Sequence, residues 1–179
     1  MPPRAHVQLH PPLSEAPWSP DFVSQSLELL TLYLRDGGIT YLQPECAVSL
    51  RLGWPKSRQP GDVVMRALQQ YGFTPRVVHS TSWRQDDDRL VLTYVGIIEP
   101  ADAPDGLDAV PIARAELARG EATAPPPVIG VEQVVEHALR HLSWLVKDDP
   151  VIREELADWA SVLEGYEPEP FRSFRADQG

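Results

Sequence analysis

His137 and His141 stand four residues apart in a stretch of helical periodicity, so their rings fall beside each other on one flank of a helix. Two imidazoles can begin a metal site, but a catalytic zinc takes three protein ligands. The order H-E-x-x-H is absent, because Glu136 precedes His137. The plainer reading is packing at the border of a buried and a polar face. A metal role would need an acidic residue supplied from elsewhere. A second cluster, HSTSWR at 79–84, reads as a polar strand end. Alternation puts His79, Thr81 and Trp83 on one face and Ser80, Ser82 and Arg84 on the other. No G-x-S-x-G elbow accompanies the serines, so a ligand-binding strand end is the better chemical reading. Trp83 would stack and Arg84 would hold an anion, against the alternative of ordinary strand chemistry. The loop 53–62 carries Trp54, Lys56 and Arg58 between glycines. Cations and a flat ring beside backbone amides suit a phosphate or a base, and a solubilising surface loop is the alternative. Walker and G-x-G-x-x-G patterns are absent, and the sequence points to no cofactor. Asp86, Asp87 and Asp88 lack the spacing of a calcium loop and read as a solvated hairpin tip.

These groups need elements to position them. Ser19 and Pro20 look like a helix start, and Phe22, Val23, Leu27, Leu30 and Leu34 recur with helical spacing. A helix is therefore expected over 20–36, stopped by Gly37 and Gly38. Strands are expected at 39–42 and 46–52, with Pro44 between them. A short helix follows at 62–71, ended by Gly72 with Phe73 folding back. The stretches 76–84 and 89–99 form a hairpin, and the near-continuous apolar run RLVLTYVGII marks its second arm as central. The connection 100–130 is irregular, with a strand at 109–112 and a helical turn near 115–119. A helix over 131–147 and a second one capped by Asp149 close the domain as a tight helical corner. The division is an arm at 1–17, one domain at 18–165 and a tail at 166–179. The expected fold class is α/β, a mixed sheet sandwiched between helices, with a C-terminal helical pair.

The chain has 179 residues, long enough for one domain with a sizeable core. Sixteen Lys and Arg against 26 Asp and Glu give a net charge of −10, from which neither a nucleic-acid nor a membrane partner is expected. Cys46 is the single cysteine, which excludes an intrachain disulfide and a Cys-built zinc site. No stretch has the length and apolarity of a signal peptide or a membrane span, and a soluble, cytoplasmic protein is expected. Five prolines in the first 17 residues make an extended arm. Phe171 and Phe174 give the polar tail a means of pinning itself to the body or to a protein partner.

The segment WPKSRQPGD at 54–62, the amphipathic helix after it, then Gly72, Phe73 and a hairpin resemble the centre of a Nudix domain. The resemblance covers residues 48–98. It implies an α/β/α sandwich and a nucleotide-sized pocket. It also places the family's metal-binding helix glutamates on Arg66, Gln69 and Gln70, none of them acidic. Asp62 could stand for the earlier glutamate, but the helix from it to Gly72 is too short. Glutamine binds a hard cation far less well than glutamate, and without the metal the phosphoryl charge clamp and the activated water are lost. The resemblance thus implies a degenerate, non-catalytic member. The expected function is binding of a small anionic or nucleotide-like ligand, with Trp54, Lys56, Arg58, His79, Trp83 and Arg84 lining the pocket. One alternative is a metal-dependent hydrolase of nucleoside-diphosphate-type substrates with an unorthodox site around His137 and His141. The other is an interaction protein that recruits a protein partner through its arm or tail.

Overall fold

The computed structural model of the chain describes residues 24–43, 50–54, 57–86, 89–103, 108–117, 126 and 128–168. The strand β1 (Ser24–Arg35) runs through the middle of a mixed six-stranded sheet. On one side it pairs in parallel with β5 (Arg89–Ile98), which pairs antiparallel with β4 (Pro75–Asp86). On its other side lie β3 (Leu50–Gly53) and β2 (Gly38–Gln43), end to end and both antiparallel to it. The short β6 (Asp108–Pro111) continues the sheet beyond β2. The helix α1 (Pro60–Gln70) packs on one face. On the other face lie α2 (Val131–Asp148) and the broken pair α3 (Pro150–Glu155) and α4 (Ala160–Leu163), joined by a 3₁₀ turn at Ala157–Trp159.

The helix expected over 20–36 is a strand where the chain is described. Leu27, Leu29 and Tyr33 enter the core under α1, while Leu30 and Leu32 enter the core under α2. A strand covered on both faces reads as a nearly unbroken apolar run, which periodicity does not separate from a buried helix. Gly37 and Gly38 do not stop a helix. Asp36 and Gly37, at φ 50° and 76°, form a two-residue turn between Arg35 and Gly38, the geometry for which Asp-Gly is the favoured hairpin dipeptide. Ser19, Pro20, Cys46, Val48, the arm and most of the tail lie outside the described residues. So do Arg119 and its neighbour 118, and 112–117 form no helical turn.

Other expectations hold. Gly72 at φ 81° ends α1, and the Phe73 amide donates to the Leu68 carbonyl at 3.0 Å, the reversal that closes a helix on glycine. The hairpin of β4 and β5 and the edge strand β6 sit where expected. Asp149 Oδ1 accepts from the amides of Val151 and Ile152 at 2.8 and 3.3 Å, capping α3. The helix expected after it is broken at Leu156, yet Leu156, Trp159 and Leu163 still form its buried stripe. Arg76 ties this unit to the sheet: its guanidinium meets Asp158 at 2.9 and 3.0 Å and Glu99 at 3.2 Å.

A buried carboxylate fixes the segment that follows β6. Glu136, on α2, is 1% exposed. It accepts from Arg114 Nε and Nη2 at 3.1 and 2.9 Å, from the Ala115 amide at 3.2 Å and from Arg140 at 2.8 Å. Arg114 also lies 4.1 Å over the Tyr166 ring and donates to the Gly165 carbonyl at 2.7 Å. Burial opposes ionisation of Glu136, but the bonds from Arg114, Arg140 and Ala115 outweigh it and hold its pKa below the ordinary carboxylate value.

Two expected outcomes follow. Gly96 faces α1, and a Cβ there would stand 3.0 Å from Leu68 Cδ1. Gly96→Val should therefore lose about 1–3 kcal/mol in urea denaturation, with a stability unchanged from the parent contradicting the close approach. For Glu136, a depressed folded pKa gives stability that is present above the unfolded pKa and lost as pH falls through the folded one. Glu136→Gln should cost about 1–3 kcal/mol at pH 7 and flatten the acid limb of the melting temperature. An acid limb as steep as the parent's would contradict this.

Candidate functional site

The polar chemistry concentrates at the end of the sheet where β1 begins. Cross-strand partners share a face, so register decides which side each group serves. On the α2 side, Glu28 stands opposite Arg51 on β3 and Thr93 on β5, and Thr93 stands opposite Ser82 on β4. On the α1 side, Leu27 stands opposite Leu52 and Leu92, and Leu92 opposite Trp83.

Glu28 is 2% exposed in the midst of an apolar strand. Arg84 clasps it with both terminal nitrogens, at 2.5 and 2.9 Å, and also donates to Thr93 Oγ1 at 3.2 Å. Thr93 Oγ1 donates to the same carboxylate at 3.0 Å. Arg51 reaches it at 3.4 Å and bonds Asp86 at 3.1 Å. The hydrogen bond to Glu28, working against burial, raises the Arg84 pKa above its ordinary value. A buried carboxylate is held here by a bidentate guanidinium, a hydroxyl and a second cation, which is what keeps such a charge tolerable. Asp86, expected in a solvated tip, is thus paired, while Asp87 and Asp88 lie outside the described residues.

The residues singled out in the sequence divide between the two sides. A bulge lies between Ser80 and Ser82, and the extra residue reverses the alternation beyond it. His79 is therefore on the α2 side, opposite Val95, and Trp83 is on the α1 side, opposite Leu92. The expectation that both share a face is corrected by that one residue. Arg84 stays on the α2 side with Glu28. Trp83 is 71% exposed. Trp54 is half-buried against the α1 core and donates from Nε1 to the Arg58 carbonyl at 2.8 Å, which folds the loop into α1. The Arg58 side chain is exposed, and Lys56 lies outside the described residues. Tyr94, which the sequence reading passed over, belongs to the same side. Burial pushes its phenol pKa up, against the opposing effect of a bond with Ser80.

The histidines gather on the α2 side. The His79 ring is 5.3 Å from that of His141, which is 5.6 Å from Trp144. His79 Nδ1 is 2.7 Å from the Ser80 carbonyl. Desolvation, and then the charges at His79 and His137, pull the His141 pKa below its ordinary value and favour the neutral ring. Among the described residues, no three His, Cys, Asp or Glu side chains converge as metal ligands. Of the helix positions discussed above, Arg66, Gln69 and Gln70 are exposed on α1, as is Asp62 in its first turn.

No protein-family model matches the chain, and no curated protein does. The crystal structure of Shewanella oneidensis NrtR is similar over 84% of this chain and 82% of that one, with a TM-score of 0.53 at 11% identity. The crystal structure of Shewanella oneidensis NrtR complexed with a 27mer DNA covers 84% and 80%, with a TM-score of 0.47 at 14% identity. Likeness at this identity concerns the fold: a mixed α/β sandwich of the Nudix-like type with a C-terminal helical pair. It also corrects one expectation. A net charge of −10 predicts no nucleic-acid partner, yet NrtR has been crystallised in complex with a 27mer DNA. Net charge sums over a whole chain, whereas phosphates are met by a local patch, so −10 excludes nothing of the kind. Among the described residues no helix is long and apolar enough to cross a membrane.

The Glu28 network yields a direct test. Glu28→Ala strands Arg84 against a half-buried sheet end and should cost about 3–5 kcal/mol by chemical denaturation. The double variant Glu28→Leu with Arg84→Met removes both charges and should recover most of that loss. A double variant as unstable as the single one would show that the pair is not the coupled unit described.

Proposed function

We propose that this chain is a degenerate Nudix-like protein that binds a small anionic, nucleotide-like ligand without hydrolysing it, in a regulatory rather than a catalytic role. The observation that carries the reading is the solvent side of α1. Where the family resemblance calls for metal-binding glutamates, the helix exposes Arg66, Gln69 and Gln70. A guanidinium and two amides cannot assemble the oxygen shell that a hard cation needs.

The binding surface is the α1 side of the sheet end. Trp83 and Tyr94 offer ring faces, Trp54 offers a third, and the loop leading into α1 brings Arg58 for an anion. Trp83 and Trp54 sit on strands or loops separated by β5 and β1, ~14 Å apart at the usual strand spacing, a span suited to a nucleotide. Arg84 and His79, on the far side, belong to the support. Arg84 holds the strands in register through Glu28 and leaves the anion to Arg58.

A thermal-shift screen of nucleotides and nucleotide sugars, with magnesium or with EDTA, tests this. A duplex DNA belongs in the same screen, since NrtR has been crystallised with a 27mer. Metal-independent stabilisation by a nucleotide is expected. Trp83→Ala should keep the fold and weaken that ligand by about 1–3 kcal/mol, the worth of one stacked base. Stabilisation that requires the metal would favour the hydrolase reading and overturn this one.

A further inference from the structure

The seam where α2 lies on β4 gathers three histidines that the sheet-end surface does not use. His137, His141 and Trp144 follow one another along one flank of α2. His79 and the bulged Thr81 meet them from β4. His141 is the centre of the group, with its ring 5.3 Å from that of His79 and 5.6 Å from that of Trp144. Its Nε2 is buried and has no hydrogen-bond partner. His137, at the solvent rim, hydrogen-bonds the Thr81 backbone. His79 Nδ1 faces the Ser80 carbonyl at 2.7 Å. A carbonyl only accepts, so this nitrogen carries the hydrogen.

The charged groups on the packed elements are engaged with one another. On α2, Glu136 is taken up by Arg114 and Arg140. On β4, Arg84 is held by Glu28, and Arg76 by Glu99 and Asp158. On α3, Glu155 also turns to Arg76. Among the described residues, no carboxylate bonds any of the three rings. A proton added to His141 would therefore leave a charged N–H buried with nothing to accept it, beside two more ionisable rings. The His137 pKa is held below its ordinary value as well, by desolvation first and then by the Arg140 charge, against the bond with the Thr81 backbone.

We propose that this seam is an acid-operated latch. Neutral imidazoles hold α2 on β4, and protonation of His141, with no anion to receive it, turns its ring and that of Trp144 out of the seam. A histidine whose pKa is lowered by folding gives stability that is present above the unfolded value, about 6.5. That stability is lost as pH falls below this value towards the folded one. The latch lies on the α2 side of the sheet and does not rest on the ligand-binding reading.

The test is ring NMR of the full chain between about pH 8 and pH 5, the range in which histidine titrates. The His141 ring is expected to titrate below the ordinary histidine value, with the Trp144 indole shifting at the same midpoint. The opening constant should rise by up to ~100-fold per pH unit as His137 and His141 take up protons, tenfold for each. His79→Gln removes one ionisable neighbour and should raise the His141 midpoint with the fold unchanged. His141→Phe keeps a ring in the seam without a charge. It should abolish the pH response of Trp144 and flatten the fall in melting temperature below about pH 6.5. Glu136 loses its charge only below the ordinary carboxylate value, so its acid limb lies apart from this one. The latch is overturned by a His141 ring that titrates at or above the ordinary value, or by a Trp144 indole indifferent to that titration. It is overturned equally by an unchanged midpoint in His79→Gln, or by a His141→Phe chain as acid-labile as the parent. The first two are read on the parent chain and hold even where a variant does not fold.

Discussion

The carboxylate of Glu28 is the constraint on which the sheet end depends. It sits on the central strand, shut away from water, and its partners come from three other strands: Arg84 from β4, Thr93 from β5 and Arg51 from β3. A charge in that position is tolerated only with its partners in place. A one-residue slip of any of these strands would turn its group to the opposite face. The network therefore specifies register where apolar packing alone would leave it less defined. By fixing β4 against β5 beyond the bulge, it also sets which way Trp83 faces.

Glu136 applies the same chemistry to the other layer. It gathers Arg114 from the irregular segment after β6 and Arg140 from its own helix, and Arg114 in turn covers Tyr166. A stretch with little secondary structure of its own is thereby attached to the helical face. Each carboxylate is matched by more than one guanidinium, and each would be costly to strip of its partners.

Much of this was legible in the sequence, and the misses have definite causes. The glycine-closed α1, the hairpin of β4 and β5, the edge strand β6, α2 and the Asp149 cap all carry local signals that tertiary structure did not override. β1 was hidden because burial on both faces erases alternation, and because Leu, Glu and Gln favour helices when read alone. The Asp36-Gly37 dipeptide was the available clue to its hairpin. Of the candidate site, the aromatic and cationic residues were visible by type. Their division between two faces was not, because a bulge at Ser80–Ser82 leaves no mark in a single sequence. Glu28 and Glu136 could have been noticed as polar residues inside apolar stripes, a signal that does not name their partners.

A supporting network thus lies on one side of the sheet and an aromatic surface on the other, beside a helix, α1, that exposes Arg66, Gln69 and Gln70. The central claim is binding without turnover. One NMR sample decides it: the chain with a nucleoside-diphosphate ligand and magnesium, phosphorus signals giving the fate of the ligand and indole N–H signals its place. The account predicts an intact diphosphate over the full incubation and a saturable shift of the Trp83 indole. Conversion of the diphosphate to monophosphate products, dependent on magnesium and lost when α1 residues are changed, would contradict it.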